Sequence, residues 1–271
     1  MNEHNRAQRI TWTKRRRSAV ARRALLAGGL ALAGLAYAAQ SKSEKIDELV
    51  GLHDLKTAVA IGDCYLKQQT LIAVRDELAR IGKGQQLGPA WNASNPYWQQ
   101  AENAMVRAAM QRVKRDFSSL EWLSEQWAEL DARDFSDADI DVLLAHFKTE
   151  YGRKQLMLVD HGVAVHVQGT LTLSGKLVYD VPGAEDDRDR MQKLFNQEDR
   201  QMRYNMEDSP EGMRFAMSRV GTRYFVNAML KVSGMINRRL DETAAAIPQT
   251  VRSLSDQALP AVQAFQSERQ G

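Results

Sequence analysis

The sequence predicts an all-α protein, a mostly antiparallel bundle of roughly seven to nine helices behind an N-terminal signal segment. Three observations predict it. Apolar residues recur at three- and four-residue steps over most of the chain beyond residue 39. Only 6 prolines occur in 271 residues, and Pro89, Pro96, Pro182, Pro210, Pro248 and Pro260 fall where helix boundaries are expected. The first forty residues follow another order: basic, then apolar, then small.

Residues 1–38 read as an export signal. Arg6, Arg9, Lys14, Arg15, Arg16, Arg17, Arg22 and Arg23 stand against the single acid Glu3, followed by an apolar run from Ala24 to Ala36. Ala36-Tyr37-Ala38 then offers a small-x-small site, with cleavage expected before Ala39. A membrane-spanning helix needs about 20 predominantly apolar residues. The run Ala24–Ala39 is shorter and diluted by Gly28, Gly29 and Gly34, which favours a cleaved signal over a retained signal anchor. In both cases the arginine-rich end stays in the cytoplasm and the body faces the periplasm. The pairs Arg16-Arg17 and Arg22-Arg23 leave two routes open, since the second pair with Ala24-Leu25-Leu26 resembles a twin-arginine signal without its usual Ser, Phe and Lys. A strongly basic signal for the general secretion route is the other.

The body, residues 39–183, reads as the main helical domain. Leu49, Leu52, Leu55 and Val59, then Leu66, Leu71, Val74 and Leu78, form one periodic series that ends at Gly82-Lys83-Gly84. Gly88-Pro89 and Asn92–Pro96 make a loop. Val106, Met110, Val113, Phe117, Leu120, Leu123, Trp127 and Leu130 then build the clearest amphipathic stripe, with a break expected near Ser118-Ser119 and Trp122 lying off the stripe. Ser136 is placed to cap the next helix with Asp139 three residues on, and Ile140, Leu143, Leu144 and Phe147 face inward. Leu156, Val159, Val163, Val167, Leu171 and Val178 share one helix face, although Val163, Val165 and Val167 also alternate as a strand would. Helix is the preferred assignment, because a lone hairpin in a helical protein lacks sheet partners.

Residues 184–208 are a charge-dense connector. Ser209-Pro210-Glu211 opens a C-terminal group of helices over 209–262 that is expected to pack on the main domain, with Phe215, Val220, Tyr224, Phe225, Met229 and Val232 as core candidates. A short helix after Pro248 carries Val251, Leu254 and Leu259, and 263–271 reads as a flexible tail.

Charge and cysteine use narrow the function classes. The chain holds 37 basic and 34 acidic residues; removing the eight bases and one acid of residues 1–38 leaves a mature chain near −4. The net positive charge therefore belongs to the signal, and the basic footprint of a nucleic-acid binder is missing from the body. Cys64 is the only cysteine, which excludes an intramolecular disulfide, and its apolar neighbours predict a buried thiol.

The segment Phe135–Leu156 carries a recognisable corner. His146-Phe147-Lys148-Thr149-Glu150-Tyr151-Gly152 precedes Arg153-Lys154-Gln155-Leu156. It resembles a family of exported bacterial proteins classed only as a domain of unknown function. Members place a capped acidic helix before an F-Y-x-S-P-x-G turn, then a helix beginning with Gln or Arg and Leu. Phe147 takes the Tyr place, Thr149 the Ser and Gly152 the Gly, whereas His146 and Glu150 depart from the Phe and Pro. The resemblance implies a helix–turn–helix corner and no activity. A second Ser-Pro-x-Gly at Ser209–Gly212 raises the question of an internal repeat, although Ser-Pro is also a common helix opening.

No catalytic or cofactor constellation accompanies these features. The G-x-S-x-G elbow, the phosphate-binding G-x-x-x-x-G-K-[ST] loop and H-E-x-x-H are absent. His161 and His166 are five apart, off a common helix face, and Asp160-His161 forms a dyad with no evident nucleophile to serve. The expectation is an exported, non-enzymatic periplasmic protein without cofactor or metal. It would engage the export machinery through its signal and a partner protein through an apolar groove near Trp98, Trp122 or Trp127. The alternatives are a signal-anchored inner-membrane scaffold and a small-ligand or lipid carrier.

Overall fold

The computed structural model describes residues 40–116, 119–177 and 210–270, together with positions 189, 193 and 196. The expected signal, its arginine pairs, the expected cleavage site and almost all of the charged connector lie outside the described residues. Those described are α-helical with no β-strand, and no described helix is long and apolar enough to cross a membrane.

Ten α-helices with defined bounds follow in order among the described residues: α1 (Lys42–Val50), α2 (Lys56–Gly84), α3 (Pro96–Asp116), α4 (Ser119–Asp134), α5 (Asp137–Phe147), α6 (Glu150–Leu173), α7 (Pro210–Ala216), α8 (Arg219–Val226), α9 (Ser233–Arg252) and α10 (Leu259–Gln270). A π-helical stretch, Asn227–Val232, joins α8 to α9 in one continuous rod, and a 3₁₀ turn, Ser255–Ala258, leads into α10.

Local chemistry sets the starts. Ser41 with Glu44, and Ser136 with Asp139, form reciprocal capping boxes for α1 and α5. The Asn95 side chain accepts from the backbone N–H groups of Tyr97 and Trp98 at 2.9 and 3.3 Å, and Pro96 takes the first helical position of α3. Pro210 opens α7 in the same way.

The 29-residue α2 is the axis of the bundle, packing against α3, α6 and α9. Its Ile61, Leu66, Val74 and Leu78 are almost wholly buried, and Cys64 is buried, as its neighbours suggested. The inward face of α6 is Leu156, Val159, Val163, Val167 and Leu171, while Val165 is exposed. The helical assignment thus holds through Leu173; Val178 lies outside the described residues.

Four expectations are corrected. The buried face of α3 is Trp98, Ala101, Met105, Ala109 and Val113, one step round from the stripe of larger residues, with two alanines wholly buried in it. Leu120 is exposed. Pro248 lies inside α9 instead of ending it, with Ile247 and Val251 buried on either side. Nor is 263–270 a tail: Phe265 is 3% exposed, and the Arg269 guanidinium donates to the Leu87 carbonyl.

Candidate functional site

The predicted corner assembles at the junction of α5 and α6. The Gly152 N–H donates to the Thr149 hydroxyl at 2.9 Å, and that hydroxyl donates to the His146 carbonyl at 2.7 Å. A methyl group on Gly152 would sit 1.9 Å from the His146 oxygen, so only glycine lets α6 start this close to the end of α5. Phe147 is fully buried against the rings of Tyr224 and Phe215, with centroids 5.0 and 5.5 Å away.

The same corner recurs between α7 and α8. Gly221 N–H donates to the Ser218 hydroxyl at 3.0 Å, and a methyl on Gly221 would lie 2.1 Å from the Phe215 carbonyl oxygen. The repeated unit is a carbonyl, a hydroxyl three residues on and a glycine three further: His146–Thr149–Gly152 and Phe215–Ser218–Gly221. The Ser-Pro-x-Gly at 209–212, more readily taken from the sequence as an ordinary helix opening, does not mark it. The recurrence falls at Ser218, while Pro210 and Gly212 belong to α7.

Behind the corners lies a buried polar chain that periodicity did not reveal. His53, in the link between α1 and α2, has a fully buried side chain. Its Nδ1 is 2.5 Å from Asp160 Oδ1 on α6, and its Nε2 is 2.5 Å from the Tyr224 hydroxyl on α8. The second Asp160 oxygen accepts the Asp54 backbone N–H at 2.8 Å. Trp127 on α4 adds a hydrogen bond to Tyr224 and places its indole 3.9 Å from the His53 ring.

Electrostatics give the chain a direction. Burial, then the carboxylates Asp131 and Asp160, push the Tyr224 phenol well above its ordinary range; the Trp127 bond works against them. The Asp160 carboxylate can only accept, so the neutral His53 ring donates from Nδ1 to it and accepts the Tyr224 hydroxyl proton at Nε2. Trp127, Tyr224, His53 and Asp160 thus read as donor to acceptor in sequence, pinning three helices and one loop.

Asp131 sits beside this chain, outside its hydrogen bonds. It is 1% exposed, and neither carboxyl oxygen has a hydrogen-bond partner. Burial, reinforced by the charge of Asp134, pushes its carboxyl well above the usual carboxylate range.

An open groove lies elsewhere, between the C-terminal turns of α2 and the loop into α3. It encloses about 570 Å³ and is lined by Gly82, Lys83, Gln86, Gly88, Trp91 and Trp98 among others. Trp91 Nε1 donates to the Leu78 carbonyl at 3.0 Å, and its ring lies so flat on α2 that a methyl on Gly82 would come within 2.5 Å of it. Gln86 and Gly88, at φ 55° and 75°, turn the loop back. Phe265 braces Trp91 from α10, with ring centroids 5.3 Å apart. Lys83 brings a cation to the lining, and no acid joins it. A smaller cleft of about 210 Å³, between α2 and α9, has mixed charge from Asp76, Glu77, Arg80 and Arg252.

The chain matches no family model, no curated protein and no solved structure.

Of the sequence-predicted positions, Phe147, Thr149 and Gly152 come together in one corner, whereas Arg16, Arg17, Arg22, Arg23, Ala36, Ala38 and Ala39 lie outside the described residues. Trp98 lines the groove, Trp127 is sealed in the core, and Trp122 lies under the Arg239 guanidinium, 5.9 Å from its ring centroid. Asp160 pairs with His53 instead of its sequence neighbour His161. Among the described residues, no three His, Cys, Asp or Glu side chains converge as a metal site.

Proposed function

We propose that this protein is an exported, non-enzymatic helical component of the bacterial periplasm that binds a partner protein in the Trp91–Trp98 groove. The observation carrying the reading is the groove itself, with an apolar tryptophan floor, a volume in the range of small binding sites and a single cationic lining residue. That lining suits an apolar segment of a partner bearing an adjacent carboxylate, received by Lys83. The basic, apolar and small-residue order of residues 1–39 supports the location, and the near −4 charge of the remainder speaks against nucleic acid.

The test uses the full chain expressed in cells, with a photo-crosslinking amino acid at Ala93 on the groove wall or at exposed Glu125 on α4. The expected result is a periplasmic protein that forms a discrete adduct from position 93, lost in Lys83→Glu and absent from position 125. Cytoplasmic retention, or equal labelling from both positions, would overturn the proposal. A small apolar acid carried through purification and seen by native mass spectrometry, in place of a protein adduct, would replace it with the carrier alternative.

A further inference from the structure

The charged and titratable groups around Asp131 leave it alone in the seam. On its own helix, Asp134 is occupied by Lys231 Nζ at 2.6 Å and Asn227 Nδ2 at 2.9 Å from the rod, and by Arg133 Nε at 2.9 Å. The Arg223 guanidinium of α8 donates to the Asp134 carbonyl at 2.9 Å. The Lys42 ammonium of α1 donates to the carbonyls of Ala132 and Phe135, at 2.8 and 2.5 Å. Tyr224 faces Asp131 from α8, while His53 and Asp160 extend the chain behind it. Each of these cations is bound to another oxygen, and among the described residues neither Asp131 oxygen has a hydrogen-bond partner, so an ionised Asp131 would be a costly buried charge.

We infer that Asp131 is a pH-operated latch between α4 and α8: as the neutral acid it stays in the core, and as the anion it drives the end of α4 from Tyr224. Opening this seam admits water to Trp127 and breaks the Trp127–Tyr224–His53–Asp160 chain. The device is independent of what occupies the groove. Its direction follows from burial: the folded protein holds the Asp131 proton more tightly than the unfolded chain does. The stabilisation is therefore full at pH values below the ordinary Asp range and is lost as pH rises toward the raised value.

The experiment compares the full wild-type chain with Asp131→Asn, which keeps the shape and cannot ionise, by melting temperature and tryptophan emission from acid to alkaline pH. The expected result is a falling melting temperature and a red-shifted emission in wild type as pH rises, with both profiles flattened in the variant. Identical pH profiles in the two proteins would overturn the inference. Infrared spectra of the wild type, with isotope-labelled aspartate, provide a check that does not depend on the variant folding. A neutral-carboxyl band persisting above the ordinary Asp range is expected, and its absence would equally overturn the latch.

Discussion

The imidazole of His146 lies flat on the ring of Phe215, with centroids 3.6 Å apart and planes 9° from parallel. Each ring belongs to the residue whose carbonyl faces the glycine of its own corner. The α5–α6 and α7–α8 corners therefore dock through equivalent residues, although 69 positions separate His146 from Phe215.

The two glycines are expected to be the least replaceable residues of this region. Gly152→Ala and Gly221→Ala force a methyl to 1.9 and 2.1 Å from backbone oxygens, which cannot swing aside as a side chain would. Each is expected to cost roughly 3 kcal/mol, the upper range for overpacking. Urea unfolding measures it, with exposed Gly84→Ala as a control that meets nothing within 4 Å.

Removing members of the polar chain is expected to rank by how many buried groups each leaves stranded. Tyr224→Phe strips a partner from His53 Nε2 and from Trp127, for an expected loss of about 1–3 kcal/mol. His53→Leu strands Tyr224 and one Asp160 oxygen together and should cost about 3–5 kcal/mol, as breaking a buried pair does. The double variant should cost less than the sum, and denaturant titration of the four proteins gives the coupling.

Asp134 predicts the opposite pH behaviour to Asp131. Burial pushes its carboxyl up, but the Lys231 ammonium and Arg133 guanidinium outweigh burial and hold it at about 2. Its folded value is depressed, so its contribution is present above the ordinary Asp range and is lost as pH falls through about 2. Lys231→Met should raise the Asp134 titration midpoint, read by carboxyl NMR, and move acid unfolding to higher pH.

The C-terminal helix is expected to hold the groove closed at one wall. Phe265→Ala removes the brace behind Trp91 and should cost about 3–5 kcal/mol, the usual range for a buried Phe. Gly82→Ala displaces the Trp91 ring from α2 and should alter tryptophan emission with a smaller stability loss. If Phe265→Ala left both emission and stability unchanged, the bracing role of α10 would be wrong.

Legibility in the sequence followed the range of each interaction. Caps and corners are local, so Ser136 with Asp139 could be read from spacing, and Thr149 with Gly152 from a short motif resemblance. The His53 contacts could not: Asp160 and Tyr224 lie 107 and 171 positions away, and no periodic signal links them. The α3 stripe was misplaced because Ala101 and Ala109, weak in any hydrophobic count, are wholly buried. Pro248 was read as a stop, yet its neighbours Ile247 and Val251 keep the helix packed through it. Phe265 alone among polar residues looked like a fraying end, and only its aromatic partners from a distant loop show otherwise.

The π-helical stretch sets the phase of the whole rod. Tyr224, Ala228, Val232, Ile236 and Leu240 are buried at every fourth position. In a plain α-helix each four-residue step drifts by about 40°, so such a row would wind away from the core. The wider turn between Asn227 and Val232 takes back part of that drift. Tyr224 can then meet His53 while Leu240, four turns on, still faces the bundle. The rod behaves as two gears on one shaft, timed by the extra residue. A chain shortened by one position here, at exposed Leu230 for instance, would keep every partner and lose their alignment.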